Sequence, residues 1–260
     1  MIKSLEGIVI RQTKITGGRR MILLFSKEEG KISAGTHISE KSKGNSALAL
    51  RPFVHGLYQV TEKRKDQRNI SSAETINPHF ALGEDIDRYA EAAYVLEFTD
   101  KLLPEGVSEP DIFELLKDYL DIIVRRKDDF RLLTISYMVK VMQVLGVFPD
   151  ADSLKGDAVS LKGDADSRKR GAVSLKDNAD PLKENAVFLK DGELLSGLND
   201  DILDVLVFIE EQPLKRMETL TLESEKETAV FGLMKNFAQK HLDLGILKSE
   251  RLFAQGSAKL

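Results

Sequence analysis

The chain has 260 residues, 42% of them hydrophobic and 31% charged, with no cysteine. This is enough for one or two domains with a real core, and it excludes wholesale disorder, disulfides, thiol nucleophiles and thiolate-built zinc sites. The formal charge of −4 conceals an uneven distribution. Residues 1–80 carry 14 basic and 7 acidic side chains, a net of +7, whereas 81–260 carry 24 and 35, a net of −11. A basic unit beside an acidic one points to a polyanion partner for the first part.

The first 80 residues read as short strands separated by turns. Leu5–Arg11, Met21–Ser26, Lys31–Gly35, Phe53–Glu62 and Ile70–Ile76 are β-branched or alternating, and Thr16-Gly17-Gly18 and Glu29-Gly30 supply turns. Five short strands suggest a small barrel or sandwich, because closing the sheet removes its unpaired edges.

From Gly83 the period becomes helical. Asp85–Leu103 places Ile86, Tyr89, Ala90, Ala93, Leu96 and Glu97 on one mostly apolar face. Ser108-Glu109-Pro110-Asp111 is a helix start with Ser108 as cap, and that helix runs to the cations Arg125-Arg126-Lys127. Phe130–Leu145 is nearly apolar all round and stops at Gly146; Asp200–Glu211 and Ser224–Leu244 complete a helical bundle.

Residues 150–191 repeat every seven residues: DADSLKG, DAVSLKG, DADSRKR, GAVSLKD, NADPLKE, NAVFLKD. Gly, Asn or Asp at the unit boundaries and Pro181 argue against a continuous coiled coil; an array of short A-V-S-L-K strands joined by Gly-Asp turns is the alternative to the mobile, charged insertion that is expected. The Asp150-x-Asp152 pair begins like a calcium loop. Leu154 and Lys155 then occupy the fifth and sixth positions, where an oxygen ligand and a glycine are needed. His37, His55, His79 and His241 are scattered, and no nucleophile elbow, nucleotide loop or dinucleotide fingerprint occurs. Neither an enzyme, a metal nor a cofactor is therefore expected. The opening MIKSLEGIVIRQTK lacks a signal peptide's apolar core, and no apolar run is long enough to span a membrane, so cytoplasmic residence is expected.

The order of the segments resembles a known family. G-I-V-I-R at 7–11, L-L-F-S-K-E-E-G-K-I-S-A at 23–34, L-R-P-F at 50–53 and L-G-V-F-P at 145–149 look like the corresponding segments of the RecO family of bacterial recombination mediators. The resemblance covers about residues 1–149 and 185–250. It implies an α+β multidomain chain: an oligonucleotide-binding (OB-fold) barrel over 1–80, a helical domain over 81–149 and 196–260, and the repeat insertion over 150–195 in place of a zinc module. Many relatives carry two C-x-x-C pairs there; here the later pair aligns with Ser196 and Asn199, neither a zinc ligand.

The function implied is non-catalytic: binding single- and double-stranded DNA, annealing complementary strands, and acting with RecR to load RecA onto strands coated by single-strand-binding protein. Nucleoid association when bound to DNA follows. The candidate DNA contacts are Arg11, Lys14, Arg19 and Arg20 around the first turn, Lys41, Lys43 and Arg51 before and within L-R-P-F, and Lys63, Arg64, Lys65 and Arg68 about the last barrel turn. Taken singly, each reads as a solvated surface charge, and the cluster carries the reading. Phe53 and Tyr58 read as core residues before stacking platforms. The resemblance also implies docking of the acidic tail of single-strand-binding protein on the helical domain. Arg125, Arg126 and Arg131 around Phe130 are the candidates, with helix capping as the alternative. Two other readings remain open: a protein–protein adaptor on the same fold with weak or no DNA binding, and an enzyme of unknown type.

Overall fold

The computed structural model describes residues 2–15, 19–39, 44–64, 67–149, 186–188, 194–196 and 200–256. Five strands form near the expected positions: β1 (Ile2–Lys14), β2 (Arg20–Ser26), β3 (Gly30–Thr36), β4 (His55–Arg64) and β5 (Gln67–Asn77). They close into a barrel of order β1-β2-β3-β5-β4, with every pairing antiparallel except β3 with β5. A short helix, α1 (Asn45–Ala49), lies between β3 and β4. This strand order and helix position are those of the OB-fold expected from the sequence. The closing parallel pair is short, Gly35 to Asn69 and Thr36 to Ile70, and the Thr36 hydroxyl donates to the Ile70 carbonyl oxygen at 3.1 Å.

The period-2 alternation fills the barrel. Leu5, Val9, Ile22, Leu24, Ile32, Ala34, Val60 and Ile70 point inward, with Ala49 and Leu50 of the α1 segment packed among them. Tyr58 is fully buried here; its hydroxyl donates to the Ala49 carbonyl oxygen at 2.7 Å, and burial pushes the phenol pKa up. A bulge at Ile10, between Val9 and Arg11, bends β1 and lets its two halves pair with different partners.

Helices follow: α2 (Ile86–Leu102), α3 (Pro110–Arg125), α4 (Phe130–Val144), α5 (Asp200–Glu211), α6 (Ser224–His241) and α7 (Glu250–Gly256). Asp85 caps α2, accepting from the N–H groups of Asp87 and Arg88. At α3, Pro110 occupies the first turn as expected, but Ser108 is no cap: its hydroxyl donates to the Lys27 carbonyl oxygen at 3.0 Å. Gly146, with φ of +69°, ends the α4 segment in a Schellman arrangement, Val147 N–H to the Met142 oxygen and Gly146 N–H to the Gln143 oxygen. Leu194–Ser196 pairs as strand β7 with Ala186–Phe188, strand β6, which is the A-V-F of the last repeat unit. The rest of the expected mobile insertion lies outside the described residues.

Packing divides the chain into two compact units, residues 1–130 with 244–260, and residues 131–243. In the first, α2 and α3 cover one outer side of the barrel. Phe113 of α3 packs edge-on against Phe25, and Lys27 pairs with Glu114 at 2.6 Å. Hydrogen bonds from Lys117 and Lys27 hold the Glu114 carboxyl down at about 2. His79 bridges the two layers, one ring nitrogen on the Phe53 carbonyl oxygen and the other on the Asp121 carboxylate. In the second unit Leu132, Ile135, Val139, Leu206, Ile209 and Met234 are buried, and Lys140 donates to the carbonyl oxygen of Glu210 at the end of α5.

Two positions of the first unit make its stability testable. Gly30 has φ of +69°, and a Cβ there would lie 1.8 Å from the Val107 carbonyl oxygen. Gly30→Ala therefore meets both a strained backbone and a backbone clash, and it is expected to destabilise by about 2–4 kcal/mol, read as a lowered urea midpoint at unchanged m. Glu97, on the otherwise apolar face of α2, accepts from the N–H groups of Ser249 (2.7 Å) and Lys248 (3.0 Å) just before α7. Partial burial raises the carboxyl, but the hydrogen bonds outweigh it and hold it below its ordinary 4.5. A depressed carboxylate stabilises fully above its unfolded value and stops doing so as the pH falls through the folded one. Glu97→Gln is thus expected to cost roughly 1 kcal/mol at pH 7, with the difference from the parent chain in urea unfolding narrowing as the pH falls below 4.5.

Candidate nucleic-acid interface

Barrel register decides which cations stand together. β1 and β3 run in one direction, with β2 running against both, so the β1–β2 turn and the segment after β3 emerge at one end. Because β5 is parallel to β3, the β4–β5 turn emerges at the other end, beside the β2–β3 turn. The sequence-derived cations therefore fall into two groups.

At the first end, Arg11, Lys14 and Arg19 are exposed, as is Arg51 just after α1. Exposed Ile15 and Met21 lie among them. Arg20 departs from the expectation of a surface cation. It is 3% exposed and donates to the Ile38 carbonyl oxygen, and the Gln12 side-chain oxygen, in its satisfied orientation, accepts from the same guanidinium at 3.1 Å. Its place in the alternation explains this: positions 20, 22 and 24 share one face, and Ile22 and Leu24 are core. Lys41 and Lys43 lie outside the described residues.

At the second end, Arg68 is half-buried and pairs with Glu29 at 3.7 Å, a carboxylate that also bonds Lys3. Lys63 and Arg64 are the last residues of β4, Arg64 facing Gln67 across the hairpin, and Lys65 lies outside the described residues.

The outer face of β1–β2–β3 between these ends is only partly open. Arg11 and Lys31 both reach Asp100 of α2, at 3.7 and 3.0 Å, and Lys31 is buried. The α2–α3 connection lies on β3, with Gly106 N–H donating to the Lys31 carbonyl oxygen at 2.8 Å and the Ser33 hydroxyl donating to Glu105 at 3.3 Å. Sequence reasoning missed Asp100 and Glu105, because nothing in the pattern of α2 ties its C-terminal acids to a strand some 70 residues earlier.

Neither aromatic candidate is available for stacking. Phe53 is 7% exposed and packs edge-on against Tyr89, and Tyr58 is in the core. Of the candidate tail-binding residues, Arg125 is exposed, but Arg126 and Phe130 are buried. The Arg126 Nε donates to the Asp128 carbonyl oxygen at 2.7 Å, Arg88 lies 5.1 Å over the Phe130 ring, and Arg131 lies 5.0 Å over the Phe231 ring. Arg126 and Arg131 thus each have a local contact near a helix end. The residues aligned with the family's later cysteine pair do not fit zinc: Ser196 ends β7 and offers a hydroxyl, Asn199 lies outside the described residues, and the chain has no thiolate. No described helix is long and apolar enough to cross a membrane.

Comparison with known proteins agrees with this architecture. Residues 1–79 match the family described as Recombination protein O N terminal, and residues 83–251 match Recombination protein O C terminal. The DNA repair protein RecO of Bacillus cereus is 30% identical over 153 residues, 59% of this chain and 61% of that protein. The proteins of the same name from Bacillus anthracis and Bacillus thuringiensis subsp. konkukian are 29% identical over the same shares. The match thus spans about three fifths of the length of these relatives. With both family segments matched in order over nearly its whole length, the chain belongs to the RecO family of DNA repair proteins.

Proposed function

We propose that this protein is a non-catalytic DNA-binding factor of recombinational repair. In this reading it binds single- and double-stranded DNA, anneals complementary strands, and helps load RecA together with RecR. It acts in the bacterial cytoplasm and associates with the nucleoid through DNA. The observation that carries the reading is the net +7 of residues 1–80 on an OB-type barrel of a DNA repair family. Such a barrel tracks the phosphate backbone with cations and gains affinity by releasing condensed counterions. Arg11, Lys14, Arg19, Arg51, Lys41 and Lys43 form one proposed contact group, and Lys63, Arg64, Lys65 and Arg68 a second. Arg20 contributes to this surface only through the architecture it holds. The tail of single-strand-binding protein is a further proposed partner, with exposed Arg125 its carboxylate contact.

A second reading, an adaptor with little DNA affinity, draws support from the internal engagement of Arg11, Arg20, Lys31 and Arg68. Cations already paired with carboxylates offer less to phosphate. Fluorescence anisotropy with a labelled oligothymidylate at several salt concentrations separates the two. The DNA-binding reading expects affinity that falls steeply with salt. Reversing Lys14 and Arg19 together to Glu is expected to weaken binding by about tenfold or more and to flatten the log–log salt slope by roughly 1.4, about 0.7 for each single-strand phosphate no longer neutralised. Absence of binding by the unaltered chain at low salt, with retained capture of RecR, would favour the adaptor.

A further inference from the structure

The outer face of β2 and β3 changes character along its length. In register order away from the β2–β3 turn, its outward pairs are Phe25 with Lys31, Leu23 with Ser33, and Met21 with Gly35. Phe25 is fully buried and Lys31 and Leu23 nearly so, whereas Met21 is 38% exposed. The α2–α3 connection makes the difference. Glu105 stands beside Lys31 as a parallel bridge, and the backbone at Val107 lies so close to Gly30 that no Cβ fits between them. Where this covering ends, two carboxylates stand: Asp100, which reaches both Lys31 and Arg11, and exposed Glu105, which accepts from Ser33.

We propose that Asp100 and Glu105 form an acidic boundary across the nucleic-acid face of the barrel, which keeps phosphate off its covered half and confines a single strand to the half marked by Arg11, Arg19 and Met21. The inference rests on the DNA-binding reading of the barrel. Two effects produce the boundary. Carboxylates repel any phosphate that approaches within a Debye length, about 8–10 Å at moderate salt. Asp100 also holds the Arg11 guanidinium, so a phosphate arriving at Arg11 must displace a carboxylate, which offsets part of what the new pair gains. The open half keeps what a sequence-tolerant strand site needs, exposed cations interleaved with the exposed apolar side chains Met21 and Ile15. Asp100 and Glu105 thereby set both the path and the strength of binding.

The test uses the full chain and a fluorescent oligothymidylate, with affinity measured by anisotropy across a salt series. Glu105→Lys alters an exposed side chain on a non-helical connection and leaves the Lys31–Asp100 pair intact. It is expected to tighten binding about three- to tenfold and to steepen the salt slope by roughly 0.7, the share of one further neutralised phosphate. Asp100→Asn, which frees Arg11, is expected to tighten binding in the same direction. Glu84→Lys makes the same charge change at the opposite end of α2, about 25 Å away along a helix of that length, and is expected to have little effect. If Glu105→Lys leaves affinity unchanged while the unaltered chain binds, the boundary is wrong and the DNA-binding reading stands. Equal tightening by Glu84→Lys also overturns it, reducing the effect to net charge. If the unaltered chain binds no oligonucleotide at low salt, both readings fall together.

Discussion

An ammonium removed from water costs several kcal/mol unless a carboxylate and hydrogen-bond acceptors meet it. Lys31 imposes that condition on the outer face of β3, where its side chain is about 10% exposed. The C-terminal end of α2 satisfies it with both the Asp100 carboxylate and the Asp100 backbone oxygen. Once α2 ends there, the chain must turn against β3. Gly106 donates to the Lys31 carbonyl oxygen, and Gly30, lacking a Cβ, admits Val107 at backbone distance. Pro110 then starts α3 where Phe113 can meet Phe25 and Glu114 can meet Lys27. The attachment of helices to barrel thus radiates from one buried cation. This attachment also decides how much of the barrel face stays open.

The same attachment changes the meaning of the charge count. The +7 of residues 1–80 is not a field of solvated cations. Lys27, Lys31 and Arg11 are met by acids from beyond residue 80, Lys3 and Arg68 share Glu29, and Arg20 is turned into the barrel end. Exposed pairs such as Lys27–Glu114 contribute little to stability, but they lower the potential that a phosphate backbone would meet. Among the described residues, exposed Lys14 and Arg19 flank the β1–β2 turn. A sum over a stretch of sequence fixes the sign of a domain's field. The field's shape depends on which charges neighbouring elements neutralise.

Much of the architecture was legible because local chemistry and global fold agree. Gly-bounded runs such as Met21–Ser26 carry a period of 2, and Ile112, Leu116, Tyr119 and Ile123 carry the helical one. Gly146 is suited to the left-handed termination it adopts. Three features were not legible, each for a physical reason. β1 begins earlier than its β-branched core, because Ile2 to Glu6 are held by pairing to Thr61 to Leu57 of β4, far away in the sequence. Helices α1 and α7 are too short to show a period. Ser108 satisfies a turn carbonyl instead of capping a helix, a choice made by a distant strand end. Of the candidate site, the alternation already placed Arg20 inward with Ile22 and Leu24, so its burial was readable from the strand pattern. The role of Asp100 was not, since it exists only once β3 and α2 are side by side.

The return of the chain to its first unit follows the same logic as the Lys31 anchor, with the charge reversed. Glu97 occupies a position on α2 that its period assigns to the apolar face, and a carboxylate there needs donors. The N–H groups of Lys248 and Ser249, left without intrahelical partners at the start of α7, supply them, and Phe253 packs against Tyr94 one turn away on α2. A helix of seven residues is too short to hold itself together in water, so α7 exists because α2 supplies its cap and its apolar contact. One helix therefore carries two buried-charge contacts, Asp100 for the barrel and Glu97 for the C-terminal segment, three residues apart and so near one another on its surface. That spacing makes α2 the element through which both the barrel face and the last described helix are positioned.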